Sequence, residues 1–491
     1  MTETRRRTKI VVTLGPATDD PEVLGAMVDA GIDVARLNFS HGDHDDFRRR
    51  FHAAREVAAG RGRELAILAD LAGPKIRVGK FDGGSVVLEN GAEFSLYCRA
   101  DAPVGDRDGV GVSYPGLGDD VDPGDTLLLD DGMVALEVVE KSGGDIRTRV
   151  ISGGRVSDHK GVNVKGGGLS IPGLAEHDSD DLRVAAEAGA DYVAVSFPRD
   201  AADIQRARRL LREHGSDAAV AAKIERSEAI RNLDAIVDAS DAVLVARGDL
   251  GVEIGDAALP GVQKRIIKTA LAHNRVVITA TQMMQSMVDN PVPTRAEVLD
   301  VANAVIDGTD AVMLSAETAV GHYPVKVVEA MHRICVGAEA HVADTAPAES
   351  MQVRFERIDQ TIAMAAMFTA GHVAVHAIVA LTESGSTVQW LSRVRSAVPI
   401  FGLSPNVESR RRMALFRDVY PVAFEPSGCE IHEVAQQALA ALFEQGLVET
   451  GGRVILTMGD SPGLQGGTNT MKLVQVGPNG QPDPQTELSY R

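Results

Sequence analysis

The sequence predicts an α/β chain built on a (β/α)8 TIM barrel, with an all-β domain inserted in one barrel loop and a separate α/β domain towards the carboxyl end. Three observations carry that expectation. A unit made of a short apolar, β-branched run and an amphipathic stretch recurs eight times before about residue 340. One interval of about a hundred residues breaks this rhythm, and a fresh series of strands begins after a segment of small residues. Alternating strands and helices imply a parallel sheet, and eight such units match a closed barrel in number.

The expected barrel strands are residues 9–14, 33–38, 65–70, 191–196, 220–224, 242–246, 276–280 and 311–315. Between them, segments such as PEVLGAMVDAG, AADIQRARRLLREHG and TRAEVLDVANAVIDG place apolar residues three and four apart and end at glycine, as amphipathic helices do. After Asp70 the pattern changes. From Lys75 to about Lys165 apolar and polar residues alternate, as in DTLLLDDGMVALEVVE, with Asp-Gly, Asn-Gly and Gly-Gly turn signals between runs. Insertion after the carboxyl end of a barrel strand places this domain over the face where barrels carry active sites, where it can close as a lid. VADTAPAES then reads as a linker, and beyond it AIVALT, PIFGLS, VYPVAF, RVILTMG and TMKLVQV alternate with helix-like segments. The expected domains are residues 1–74, a polar arm and the first part of the barrel; 75–165, the β lid; 166–341, the rest of the barrel; and 345–491, a C-terminal α/β domain.

Composition narrows the function. In 491 residues, 50 Lys+Arg stand against 69 Asp+Glu, a formal charge of −19, with 44% hydrophobic and 24% charged residues. That balance supplies cores for about three domains of roughly 150 residues. A surface this acidic repels phosphate backbones and anionic lipid. The basic run Arg5-Arg6-Arg7 is short, as are Arg48-Arg49-Arg50 and Arg410-Arg411-Arg412, and no apolar segment is long enough to span a bilayer. Neither nucleic acid nor membrane is therefore an expected partner. Cys98, Cys335 and Cys429 are odd in number and far apart, giving neither a disulfide framework nor zinc-ligand spacing, and a reducing cytoplasm is the expected compartment.

The chemistry concentrates at the carboxyl ends of the strands. The second strand ends in Arg36, Asn38 and Ser40, the third in Asp70, the fifth in Lys223 and Glu225, the sixth in Arg247 and Asp249, the seventh in Thr281, and the eighth in Ser315 and Glu317. Any one of these acids could be a helix cap or a solvated group. Buried charges are costly unless paired or bound to something, so the set as a whole points to a site. Glu225 and Asp249, from adjacent strands, suit Mg2+, or Mn2+, which takes few protein carboxylates and fills its other positions with water and substrate oxygens. Arg36, Lys223 and Arg247 suit an anionic phosphorylated or carboxylated substrate; structural ion pairs are the alternative, with Arg247 a candidate for one. The sequence holds no GxxxxGK[ST] loop and no strand-associated GxGxxG, so nucleotide phosphates would be held by metal and basic side chains. In the C-terminal domain, Thr382-Glu383-Ser384-Gly385-Ser386-Thr387 stands between a strand and the helix VQWLSRVR, a favourable place for a phosphate, although a turn that merely caps a helix has the same pattern.

TKIVVTLGPAT, VARLNFSHG, ADLAGPKIRVG, KGVNVKGGGLS, AAKIERSEAI, SDAVLVARGDLGVEI, ITATQMMQSM and PTRAEVLDVANAVIDGTDAVMLSAET, with the weaker GGTNTMKLVQV, closely resemble pyruvate kinases. The resemblance implies the same barrel, a β lid after the third strand, a C-terminal effector domain and a homotetramer. It implies the reaction of phosphoenolpyruvate with ADP to give pyruvate and ATP. By resemblance, Glu225 and Asp249 are the divalent-metal ligands, Lys223 steadies the phosphoryl group in flight, and Arg36 contacts that group. Asn38, His41, Arg77 and Lys160 match nucleotide-binding positions. Thr281, Ser315 and Glu317 match groups that deliver a proton to enolpyruvate, and the backbone at Gly248 and Asp249 would hold the substrate carboxylate. Residues 382–387 match a loop for a phosphorylated effector, a sugar phosphate or AMP. A catalytically weak scaffold subunit and a Mg2+-dependent aldolase or lyase working through a pyruvate enolate are the competing readings; the first usually lacks a metal ligand or the lysine, and all three stand here.

One departure matters. ADLAGPKIRVG has Leu71, Ala72 and Lys75 where the commoner family form has Thr, Lys and Glu. In relatives with that Glu, K+ is held by groups matching Asn38, Ser40 and Asp70 together with the Thr. Here Leu71 offers no side-chain oxygen and Lys75 brings a tethered ammonium, so Lys75 is expected to occupy that pocket and K+ is expected not to be required.

Overall fold

Eight parallel strands close on themselves: Lys9–Thr13, Val34–Asn38, Ala66–Asp70, Tyr192–Val195, Ala219–Ile224, Ala242–Ala246, Val276–Ala280 and Ala311–Leu314. In the order first, eighth, seventh, sixth, fifth, fourth, third, second they form a closed barrel. The computed structural model describes residues 5–341, 355–427, 431–460 and 466–483; the expected linker VADTAPAES and Cys429 lie outside them. Registers such as Val11 opposite Val34, Lys9 opposite Ala311 and Ala242 opposite Val276 run parallel. The sixth and seventh strands, AVLVA and VVITA, are buried along their whole length. Strands covered on both faces need continuous apolar sequence, which these have. Ser196 and Ser315, expected at strand ends, fall just beyond them: Phe197 turns to φ +54°, and Ser315 opens the short helix Ala316–Ala319 with φ −110° and ψ −101°.

The chain divides into two compact units, one of Asn38–Phe47 and Ala69–Gln282, the other of Met1–Leu37, Arg48–Leu68 and Met283–Arg491. The former carries the inserted β structure. Its larger sheet runs Val162–Val164, Thr126–Leu129, Val134–Ser142, Asp145–Ser152, Glu93–Tyr97, Gly109–Gly111, and a second ribbon pairs Ser85–Leu88 with Gly154–Ser157. Phe94, Leu96, Leu127, Leu136 and Ile146 fill its core, one face of the alternation seen in the sequence. The insert also holds one helical turn, Leu117–Asp120, before the next long helix at His177–Ala188.

The latter unit holds the C-terminal sheet, in the order Val419–Ala423, Ile400–Ser404, Ala377–Leu381, Arg453–Gly459, Thr468–Gln475. Its first four strands are parallel and the last is antiparallel. The sequence between these last two strands, residues 460–467, is too short for a crossover, which needs a dozen or more residues, in keeping with their antiparallel pairing.

The basic arm packs on the fold, with Arg6 buried, Arg7 half-buried and Arg5 exposed. Arg6 pairs with Asp33 at 2.9 Å, and the Arg7 and Thr8 amides donate to the Glu339 carboxylate. Arg5 lies over the Phe401 and Tyr420 rings at 5.1 and 5.5 Å. Beside them Asp418 sits in a left-handed backbone conformation, φ +64°, with a buried carboxylate whose oxygens accept no hydrogen bond among the described residues. Its cations are Arg7 at 3.9 Å and Arg417 at 3.8 Å, and burial pushes its carboxyl up to about 6. An unfolded aspartate titrates near 4, so the native state holds this proton longer and its stability falls as pH rises from about 4 through 6. Asn keeps the shape, tolerates φ above zero and carries no charge. Asp418→Asn should therefore raise stability at pH 8, on the order of 2 kcal/mol, and change it little at pH 4.5. Denaturant unfolding at the two pH values measures this; an equal effect at both would contradict it.

Candidate active site

Lys223, at the end of the fifth barrel strand, is the centre of a buried cluster. Its ammonium lies 3.0 Å from Glu225 Oε1, 3.3 Å from Asp70 Oδ1 and 2.8 Å from Ser196 Oγ. Lys223 and Glu225 are two apart, so a strand that stays extended sends both side chains the same way. Asp70 and Glu225 are inaccessible to solvent, at 0% and 1% exposure, which leaves the lysine and its neighbours to satisfy them. Glu225 Oε2 accepts the Phe197 amide at 2.8 Å. Burial raises the Glu225 carboxyl above its ordinary range, the charges of Asp249 and Asp70 raise it further, and Lys223 opposes both. A carboxylate held among carboxylates is stabilised by an added cation.

The sixth strand supplies the next part. Arg247 opens the helix Arg247–Ile254, and its guanidinium donates to the carbonyls of Ala280 and Thr281, the latter at 2.6 Å. The Gly248 amide donates to Thr281 Oγ1 at 2.9 Å, and that hydroxyl donates to the Ala280 carbonyl at 2.7 Å. These contacts hold two successive non-glycine residues, Thr281 at φ +66° and Gln282 at φ +54°, in the left-handed region. For a β-branched threonine that is a strained conformation, of the kind maintained at functional sites by over-determined surroundings. Arg247, a candidate for a structural ion pair, thus makes hydrogen bonds to carbonyls.

Asp249 meets the lysine of the departed motif, with Lys75 Nζ 2.8 Å from Asp249 Oδ1. Leu71 is buried at 1% exposure with its amide on Ala194, and contributes only an apolar side chain. Asn38 Oδ1 accepts the Ser40 amide at 3.0 Å, and the Phe39 amide donates to the Asp70 carbonyl at 2.9 Å. The His41 amide donates to the Asn38 carbonyl. Among the β-domain residues, Arg77 donates to the His159 carbonyl at 3.0 Å and Lys160 pairs with Asp130 at 2.8 Å. The structure therefore gathers Asp70, Lys75, Lys223, Glu225, Gly248, Asp249 and Thr281 into linked contacts, and gives Arg77 and Lys160 partners of their own.

Three expected residues belong to the other compact unit. Arg36 is buried and donates to Thr13 Oγ1 at 2.9 Å. Glu317 is fully buried and accepts the Ser315 amide at 2.6 Å and the Met284 amide at 3.1 Å. Ser315 Oγ is buried without a hydrogen-bond partner among the described residues. In the C-terminal domain, residues 382–384, 386 and 387 line a partly open pocket together with Phe424, Met458 and Thr468. Gly385, at φ +83°, donates its amide to Thr382 Oγ1 at 2.9 Å and starts the helix Ser386–Ser392.

Among the described residues no group of three His, Cys, Asp or Glu forms a ready-made metal cage. A cation here would rest on Glu225 and Asp249, a donor set suited to Mg2+, which binds through one or two carboxylates plus substrate oxygens.

The family profile described as "Pyruvate kinase, barrel domain" matches residues 5–328, and that of the "Pyruvate kinase, alpha/beta domain" matches 360–474. This chain belongs to the pyruvate kinase family. It is 49% identical over 480 residues to pyruvate kinase II of Salmonella typhimurium, covering 97% of this chain and 100% of that relative. It is 47% identical over 474 residues to a pyruvate kinase of Haemophilus influenzae, covering 96% and 98%. A Buchnera aphidicola pyruvate kinase is 46% identical over 475 residues, covering 96% and 99%. With pyruvate kinase relatives along nearly its whole length, the chain is an enzyme, a phosphotransferase with pyruvate kinase function. No helix among the described residues is long and apolar enough to cross a membrane.

Sequence reasoning missed Ser196, the fourth strand's contribution to this pyruvate kinase site. Its hydroxyl donates to the Leu71 carbonyl at 2.7 Å, which turns a lone pair towards Lys223. Its place as the last residue of the expected strand 191–196 was the available signal. It missed Thr13 on Arg36 for the same reason, a hydroxyl without charge at the end of an apolar run. Ser196→Ala removes the hydroxyl between the Leu71 carbonyl and the Lys223 ammonium and so deletes one contact on Lys223. We expect turnover to fall about tenfold with the metal dependence unchanged, since a lost hydrogen bond to a charged group is worth about 1.5 kcal/mol or more. Steady-state kinetics across a metal titration separates the two quantities; unaltered turnover would remove Ser196 from the site.

Proposed function

We propose that the strand-end cluster transfers the phosphoryl group of phosphoenolpyruvate to ADP, giving pyruvate and ATP, with Mg2+ held by Glu225 and Asp249. The observation that carries this assignment of roles is Lys223, fixed by the buried Asp70 and Glu225 and by Ser196 in a chain whose relatives are pyruvate kinases. Pyruvate kinases in general need Mg2+. When bound, the ion would neutralise phosphate oxygens and orient the reacting groups.

In-line phosphoryl transfer needs positioning and charge neutralisation more than covalent help. The ammonium of Lys223 is the fixed cation for charge on the phosphoryl group as it moves, and Arg36, buried and oriented by Thr13, is the second. The Gly248 and Asp249 backbone, steadied by Thr281, receives the substrate carboxylate. Ser315, Glu317 and Thr281 serve the protonation of enolpyruvate. Asn38, His41, Arg77 and Lys160 serve the nucleotide, with the β domain as lid. The cavity beside residues 382–387 takes a phosphorylated effector, a sugar phosphate or nucleoside monophosphate, in a cytoplasmic homotetramer.

K+ is not required in this reading. Lys75 places a permanent ammonium on Asp249 at 2.8 Å, and Leu71 supplies no oxygen to a monovalent-ion shell. A tethered charge needs no capture from solution and repels a second cation.

Two experiments test these assignments. Coupled measurement of ATP formation from phosphoenolpyruvate and ADP should show activity in the wild type. Lys223→Met should cut it by about a hundredfold or more, the cost of one electrostatic contact made to developing charge. Asp249→Ala should instead raise the metal concentration for half-maximal rate. Near-normal turnover in the Lys223 variant, or an unchanged titration in the Asp249 variant, would sink the corresponding role. In a buffer whose only monovalent cation is a bulky tetraalkylammonium, the wild type should keep its rate. Lys75→Glu should then acquire at least a partial K+ dependence, and strong activation of the wild type by K+ would refute the idea.

A further inference from the structure

The return segment of the β domain, Lys165-Gly166-Gly167-Gly168-Leu169, contains three successive glycines in left-handed conformations, at φ +88°, +82° and +107°. Any side chain would be strained at each of them. The segment follows the strand Val162–Val164, and Leu169 then returns to the β-domain core. Its exposed amides find partners outside that domain. Gly166 donates to the Glu253 carbonyl at 3.0 Å, and Gly168 donates to Glu228 Oε1. The Glu228 carboxylate packs so closely on Gly167 that a Cβ there would lie 2.5 Å from Oε1. Further along, the Ile171 carbonyl accepts from Arg226 at 3.3 Å and the Ser170 carbonyl from Arg199 at 2.9 Å.

The partners share a position in the chain. Glu228 comes three residues after Glu225, and Glu253 four residues after Asp249 on the helix Arg247–Ile254. The Glu253 carboxylate also accepts the Ser227 amide at 2.8 Å, which ties these two short segments to each other. The glycine turn therefore stands on the two segments that carry the proposed metal ligands.

We infer that Glu228 is a positioning residue: by accepting the Gly168 amide it latches the β domain to the loop that carries Glu225, and so sets where that domain stands over the strand ends. A glycine turn without side chains can approach this carboxylate and pivot on it; a turn with side chains could do neither. Arg231, at 3.3 Å from Glu228 Oε1, leaves the second oxygen less constrained. The kinetic consequence rests on the reaction proposed above, whereas the latch itself does not.

Hydrogen exchange read by mass spectrometry across residues 165–171, together with steady-state kinetics, tests this in the full-length enzyme. Glu228→Ala removes the acceptor, and Glu228→Gln keeps an oxygen in its place. In the alanine variant, exchange of this segment should quicken about tenfold, because Gly168 is exposed and this acceptor is its protection. The KM for ADP should rise several-fold while kcat stays within about twofold and the metal titration is unchanged, the pattern of lost positioning without lost chemistry. The glutamine variant should match the wild type in both measurements. Unchanged exchange in the alanine variant, or equal damage in the glutamine variant, overturns the latch. Faster exchange with an unaltered KM for ADP overturns the positioning role. Absence of ATP formation in the wild type would count against the reaction and leave the exchange result to decide the latch.

Discussion

Everything at the candidate site depends on one ammonium being held where water cannot reach its partners. Asp70 and Glu225 are carboxylates at a barrel end with almost no exposure, and either alone would be too costly to keep charged. Lys223 at 3.3 and 3.0 Å makes the pair tolerable, and Ser196 adds a hydroxyl at 2.8 Å. The arrangement fixes more than charge. The Glu225 carboxylate that meets Lys223 also takes the Phe197 amide, and Ser196 meets the Leu71 carbonyl, so the ends of the third, fourth and fifth strands are tied through the same few atoms. A short strand leaves little freedom at its last residue, and the barrel supplies that rigidity.

The backbone beside this cluster is kept in conformations that it would not choose. Phe197, Thr281 and Gln282 all have positive φ. Each costs of order 1–3 kcal/mol, and each is offset by groups of the site itself: Glu225 on the Phe197 amide, and Arg247 with the Gly248 amide around Thr281. The consequence is a Gly248-Asp249 backbone whose direction is decided before any ligand arrives. Preorganised amides and cations cost no rearrangement at the moment of reaction, which is what a transfer reaction governed by electrostatics requires.

How much of this was legible depended on the kind of signal. The barrel could be read because strands buried on both faces must be apolar throughout, and eight such runs alternate with amphipathic helices; the β insert could be read because its period changed from about four to two. The charged residues of the site announced themselves, since an Asp or Lys at the end of an apolar strand is expensive without a purpose. Ser196 and Thr13 did not, because a hydroxyl is cheap anywhere and its role lies in which carbonyl it faces. The antiparallel last strand of the C-terminal sheet went unread although its signal was present: the connection 460–467 is too short for the crossover that a parallel strand needs. The burial of Arg6 and the anchoring of Arg7 were equally hidden, because Asp33 and Glu339 are distant in sequence and only the fold brings them to the arm.

The charge balance explains why the motif around Lys75 matters to the whole centre. Asp70, Glu225 and Asp249 bring three negative charges, and Lys223 and Lys75 bring two positive ones, a balance of 2 − 3 = −1. Burial raises the carboxyl of Glu225 first, and the charges of Asp249 and Asp70 add to that rise. A divalent ion converts the deficit into an excess of one positive charge, which attracts a phosphorylated anion; without Lys75 the same ion would only bring the centre to neutrality. Glutamate at position 75 would go a step further and leave the loaded centre negative, so that a monovalent cation would be needed to restore what the lysine supplies. Under the proposed function, the identity of one residue at the entrance to the β domain would thus decide how many ions the centre must collect before it favours its substrate. That residue is Lys75, and the ion pair with Asp249 places its charge next to a proposed metal ligand.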